Sequence, residues 1–168
     1  MDKTFLEEII SEETAGKNAA IHAYDKMMWT VRSGYLTLVF GAWSLLIQSA
    51  VKQKIDFTFL KPYLILLASL TIVLSIGAFL IDRNYARRKF RVIHAVNELM
   101  HFKVFKDVNK MEKNEKDEIA SLLKISGDTA NKTYRLEAFA NEITVSRIIF
   151  FLPVLLVITL VIILYTNH

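Results

Sequence analysis

The sequence predicts an all-α membrane protein with three transmembrane helices plus a cytoplasmic helical domain. Three observations carry that prediction. Long uncharged apolar stretches occur at Ser33–Val51, Tyr63–Ile81 and Ile148–Tyr165, of 19, 19 and 18 residues. The residues between the second and third are basic, with apolar positions at helical spacing. No alternating β-branched run or hairpin dipeptide competes with helix anywhere in the chain.

A helix needs about 20 apolar residues to cross the hydrocarbon core, and a soluble core helix seldom runs so far without a charge. Aromatic residues stand at several margins of the spans: Trp29, Tyr35, Tyr63 and Tyr165. Amphipathic rings favour the headgroup level. Lys and Arg fix the orientation. Residues 1–32 carry four, the loop 52–62 three, residues 82–147 fourteen, and the tail after Tyr165 none. Three spans put the first and third of these groups on one side, eighteen against three, and the positive-inside rule makes that side the cytoplasm. The predicted topology is N-terminus in, C-terminus out. The organisation is then 1–32 as cytoplasmic N-terminal helices, 33–81 as a transmembrane hairpin, 82–147 as a basic cytoplasmic helical domain, and 148–168 as the third span with a short external tail. The acidic N-terminus, with no early apolar run, does not read as a cleavable signal peptide.

In the polar segments, Thr4-x-x-Glu7 forms a capping box for a short amphipathic helix, with Gly16 expected to end it. A second helix runs from about Asn18 into the first span. Phe90, Ile93, Val96 (or Ala95), Leu99, Met100 and Phe102 extend the second span as one amphipathic helix to about Lys110. Residues 111–117 read as a charged connector and 118–125 as a short helix. Asp128 then caps a last helix leading into the third span.

The spans differ in composition. In the first, Gly34, Thr37, Gly41, Ser44 and Gln48 make one small, polar helix face. The second repeats the pattern with Ala68, Thr71, Ser75 and Ala78, while the third is almost wholly aliphatic apart from Pro153 and Thr159. Small residues let helices approach closely in lipid, and interhelical hydrogen bonds hold them there. The first two spans are therefore expected at the packed centre and the third outside as a lipid-facing anchor. Either both stripes knit the hairpin together, or the Thr37–Gln48 stripe faces the central axis of a homo-oligomer and lines a narrow polar path. Gln48 needs a partner in hydrocarbon in both cases.

Chemistry is sparse. With no cysteine in the chain, thiol nucleophiles, disulfides and Cys-bound zinc are excluded. No span carries an ionisable residue, which argues against a proton-coupled or ion-coupled transporter. Arg88 (or Arg87) and His94 fit the loose Arg-x4–6-His pattern of HEPN ribonucleases, where such a pair would promote 2′-hydroxyl attack. A basic stop-transfer run followed by a single histidine produces the same pattern. His94, Glu98 and His101 share a helical face but lack a fourth ligand, so no metal is expected. No cofactor, enzymatic activity or direct DNA contact is expected either. Arg83, Arg87, Arg88, Lys89 and Arg91 form a basic collar suited to anionic lipid or a partner, at about 1 kcal/mol per charge near a membrane surface. The acidic segment 1–13 could dock on that collar.

The order helix, Trp29-Thr-Val-Arg32-Ser-Gly-Tyr35, two-span hairpin, Asp82-x2-Tyr85, long helix resembles the small helical membrane effectors of bacterial defence loci, in particular the SLATT group. The Arg/His pattern is also similar to that of the membrane accessory proteins of type VI-B CRISPR loci. The resemblance spans roughly residues 18–110, and the third span departs from the two-span pattern. It implies a homo-oligomeric effector of the bacterial inner membrane that permeabilises or depolarises it in anti-phage defence. A cytosolic sensor or RNA-guided nuclease would be its partner. A membrane scaffold that recruits a cytosolic protein, and a membrane-tethered HEPN-like ribonuclease, are the alternative readings.

Overall fold

A computed structural model describes residues 3–54, 57–105 and 137–166, with isolated helical positions at 114, 117, 119, 122 and 123. Helix α1 spans Lys3–Gln53, α2 Phe57–Phe105 and α3 Glu137–Thr166. All three are long and apolar enough to cross a membrane. Among the described residues there is no strand.

Helix α1 passes through Gly16 without a break, against the expectation that this glycine ends a first helix. A glycine inside a helix costs only about 1 kcal/mol relative to alanine. Burial of Ile10 before it and Lys17 after it outweighs so small a term. Lys54 follows α1 with φ 48°, a left-handed residue at the position where many helices stop. Helix α2 carries Pro62 as its sixth residue, where the ring leaves the carbonyl of Thr58 without an amide from this position, and the helix runs on through it. It continues past the apolar stretch to Phe105, as the spacing of Phe90 to Phe102 predicts. Most of the expected connector at 111–117, where positions 114 and 117 are helical, most of the short helix at 118–125 and the Asp128 cap lie outside the described residues.

The chain divides into two compact units. One comprises Met28–Arg83 and Asn141–His168, the other Met1–Met27 and Asn84–Ala140. In the second, Ile10, Ala95, Leu99, Ile119 and Leu122 form a buried apolar cluster. The N-terminal helix thus packs through its apolar side, while Glu8, Glu12 and Glu13 stay exposed. Glu13 pairs with Lys17 of its own helix at 3.5 Å, and Lys17 Nζ also donates to the carbonyl of Leu123. Asp25 bridges Lys89 of the basic collar at 2.7 Å.

The first unit is a three-helix bundle, and its core corrects the place given to the third helix. Phe150 of α3 is fully buried beside Tyr35, Val39, Trp43 and Leu64. The most apolar window of α3 is 22% buried, against 17% for α1 and for α2. Its face is built from Ile143, Phe150, Val154 and Val157, at helical spacing. An aliphatic helix with an aromatic knob packs as readily as one with small residues, because dispersion contacts do not depend on polarity.

Candidate functional site

One line along α1 is buried: Met28, Arg32, Tyr35, Val39 and Trp43. Three polar layers link it to the other helices of the bundle. In the outermost, Arg32 Nε and Nη2 donate to the two carboxylate oxygens of Asp82, each at 3.0 Å. The same Nη2 donates to Glu142 Oε1 of α3 at 2.6 Å. Asp82 and Arg32 are buried, and the Glu142 side chain is 23% exposed. The planar guanidinium suits this forked recognition, and charge-assisted bonds of this kind are the stronger class.

In the next layer the Tyr35 hydroxyl donates to the carbonyl of Phe150 at 3.0 Å and lies 2.6 Å from Ser75 Oγ. Pro153 supplies no amide to the carbonyl of Ile149, the residue before Phe150. The Tyr35 ring also meets the Phe150 ring edge-on, with centroids 4.9 Å apart. In the third layer Trp43 Nε1 donates to Thr71 Oγ1 at 3.1 Å, and that hydroxyl donates to the carbonyl of Leu67. Of the buried side-chain polar atoms among the described residues, Ser146 Oγ alone has no partner.

The stripe of the second span lies inside this arrangement: Thr71 and Ser75 are buried, Ala68 and Ala78 half-buried. The stripe of the first span does not. Gly34, Thr37, Gly41, Ser44 and Gln48 are all exposed. At about 100° per residue they centre roughly 180° from the buried line of α1. A Cβ added to Gly34 or Gly41 would meet nothing within 4 Å. Within one chain, therefore, the two stripes do not knit the hairpin; Tyr35 and Trp43 reach across to the second stripe instead. Large side chains replace close backbone approach as the link between α1 and α2.

The sequence reading placed Tyr35 among the headgroup-level rings, but it is an interior pin. Trp29, Tyr63 and Tyr165 are the exposed ones, at 67%, 56% and 40%. Reading charges only as span boundaries also concealed the Arg32–Asp82–Glu142 cluster. Arg32 lies 21 residues before the end of α1 and Asp82 25 after the start of α2, so an antiparallel hairpin brings them within about one helical turn of the same level, a gap the long Arg32 side chain spans.

In the basic collar Arg87 is exposed, whereas Arg83, Arg88, Lys89 and Arg91 are half-buried. Arg88 and His94 stand six residues apart on α2, which turns them to different sides of the helix; Arg87, seven away, shares the face of His94. His94 Nδ1 is 3.9 Å from Glu98 Oε1, and the His101 side chain lies outside the described residues. No three metal-ligating side chains converge among the described residues.

Beside the polar layers, Val39, Trp43, Ser44 and Ile47 of α1 and Pro153 and Leu160 of α3 line an apolar slot of about 220 Å³. At the end of the bundle near the α1–α2 connection, Lys61 Nζ sits 5.2 Å from the centroid of the Tyr165 ring.

No protein-family description matches this chain, and neither a curated protein nor a solved structure is similar to it.

Proposed function

We propose that the chain is a homo-oligomeric membrane effector whose assembly permeabilises the bilayer. One observation carries the reading: the small, polar stripe Gly34–Gln48 faces outward, opposite the packed face of its helix. In hydrocarbon an exposed amide lacks the partners that water would give it, and protein or a water-filled path must supply them. Close approach of glycines from neighbouring copies accounts for the rest of the stripe. The interior of one chain is an unsuitable path, since the polar groups of Arg32, Tyr35, Trp43, Thr71, Ser75 and Asp82 are taken up by one another. A conducting path therefore belongs between copies, lined by Thr37, Ser44 and Gln48.

The remaining features follow from the sequence. The eighteen-to-three division of Lys and Arg supports a cytoplasmic N-terminus and an external C-terminus in a bacterial inner membrane. The setting in anti-phage defence, with a cytosolic sensor or RNA-guided nuclease as partner, rests on the resemblance of residues 18–110. In cells expressing the protein under triggering conditions, a membrane-potential dye reports depolarisation, and Gln48→Leu abolishes it. An unchanged potential with the wild-type chain refutes the proposal. If Arg87→Glu removes a co-purifying cytosolic protein while the membrane stays sealed throughout, the scaffold reading replaces it.

A further inference from the structure

We infer that Glu142 and Ser146 of α3, with Asp82 of α2, hold a small monovalent cation beside Arg32. The site lies within one chain, so the inference does not depend on assembly or on a pore. Charge comes first. Arg32 brings one positive charge to two carboxylates, and its fork is spent on Asp82, both of whose oxygens it bonds. Glu142 receives a single bond, through Oε1, and its Oε2 accepts none among the described residues. Arg83 and Arg147, the nearest cations along the chain, pair with neither carboxylate. The cluster therefore keeps one negative charge, centred on the Glu142 oxygen that Arg32 does not bond. Charges taken out of water are paired with an opposite charge or coordinate a metal ion.

The second observation is independent of charge. Ser146 Oγ is fully buried and has no hydrogen-bond partner. Elsewhere in the spans Ser69, Thr71, Ser75 and Thr159 donate to the carbonyl four residues earlier. Ser146 does not use that outlet, so its hydroxyl points off its own helix and into the bundle that buries it. It stands four residues after Glu142 and four before Phe150, between the Arg32 and Tyr35 layers. The Cα–Cβ bond of a helical residue leans toward the helix N-terminus, here toward the turn that bears Glu142. In the Tyr35 layer the hydroxyls of Tyr35 and Ser75 are already bonded to each other and to carbonyls. The group left for Ser146 is the Glu142 carboxylate. The two do not bond each other, and a shared cation satisfies both. Oxygen donors select a hard cation. One positive charge brings the cluster to neutrality. A divalent ion would overshoot, and it needs a fuller set of oxygens than two carboxylates and a hydroxyl supply. Water would satisfy the hydroxyl yet leave the charge. The Glu142 side chain, 23% exposed, gives the ion a way in. With ligands from α2 and α3, the bound ion ties α3 to the hairpin.

The test uses the full chain in detergent, with sodium chloride exchanged for choline chloride at constant ionic strength. Calorimetric titration is expected to show saturable uptake of one sodium ion per chain. The thermal midpoint rises with it, since a ligand that binds only the folded state stabilises that state. Ser146→Ala keeps every charge and should raise the half-saturating sodium concentration about tenfold, the loss of one bond to a charged partner. Glu142→Gln should remove the uptake while the bundle stays folded, because the amide also cancels the surplus charge. No uptake by the wild type, or a midpoint that rises equally in choline chloride, overturns the inference; the hydroxyl is then served by water, and the salt effect is screening. Uptake that survives Glu142→Gln, or that Ser146→Ala leaves unchanged, places the ion elsewhere and overturns it too. Should Glu142→Gln not fold, the Ser146→Ala shift decides.

Discussion

Arg32 illustrates how much of this fold rests on single side chains. Its guanidinium serves two carboxylates from two other helices, so the cluster carries one positive and two negative charges in a largely buried setting. Breaking a buried pair by removing one partner costs about 3–5 kcal/mol, because the remaining charge is left without compensation. Replacing all the partners by apolar groups of similar volume is close to neutral. Arg32→Met alone leaves Asp82 and Glu142 without their shared cation, and should therefore lower the thermal midpoint in detergent far more than the combined Arg32→Met, Asp82→Leu, Glu142→Gln chain. Equal losses would show that the cluster is not buried in the way described. Tyr35→Phe provides the contrast. It removes one neutral hydroxyl, and a hydrogen bond of this kind between membrane helices averages about 0.6 kcal/mol. Its effect should be small beside that of Arg32→Met, measured the same way.

At the scale of the helix, the two small-polar stripes have the same composition and opposite environments. Composition marks a face as suited to close contact. It does not say whether the contact is with the same chain or another. That is why the stripe of the second span was legible in the sequence as an inner face, whereas that of the first stayed open between an inner face and the axis of an oligomer. The deciding residues are Tyr35 and Trp43, which the sequence offered as a boundary ring and one apolar residue among many. The third helix was misread for a related reason: an aliphatic sequence looks the same whether lipid or protein surrounds it. Two measurements separate these roles. Phe150→Ala, in the core of the bundle, should cost about 3–5 kcal/mol, and Leu155→Ala, on the exposed side of the same helix, close to nothing. Unfolding in detergent reads both, and similar losses would contradict the burial of Phe150. Gly16→Ala on α1 should gain up to about 1 kcal/mol, since an added methyl meets nothing within 4 Å there. A loss would indicate that Gly16 serves a contact beyond the chain.

For the whole molecule, length and charge distribution alone gave three membrane-length helices and an all-helical chain, because both depend on composition over long windows. The pairing of levels across the hairpin needed coordinates: Arg32 with Asp82, Tyr35 with Ser75 and Trp43 with Thr71. The result is a bundle whose interior polar side chains pair with one another, Ser146 apart, and whose small, polar outer stripe lies on α1. The absence of native cysteine makes that exterior simple to probe, because a cysteine introduced at Thr37 or Gln48 is the sole thiol in the chain. The central claim, that the outer face of α1 joins copies of the chain, is tested most directly by native mass measurement of the protein in lipid nanodiscs, with Gly41→Leu alongside the wild type. The account predicts several copies for the wild type, and single chains with unchanged helicity for Gly41→Leu. A wild-type protein that is monomeric, or a variant that assembles as the wild type does, would contradict it.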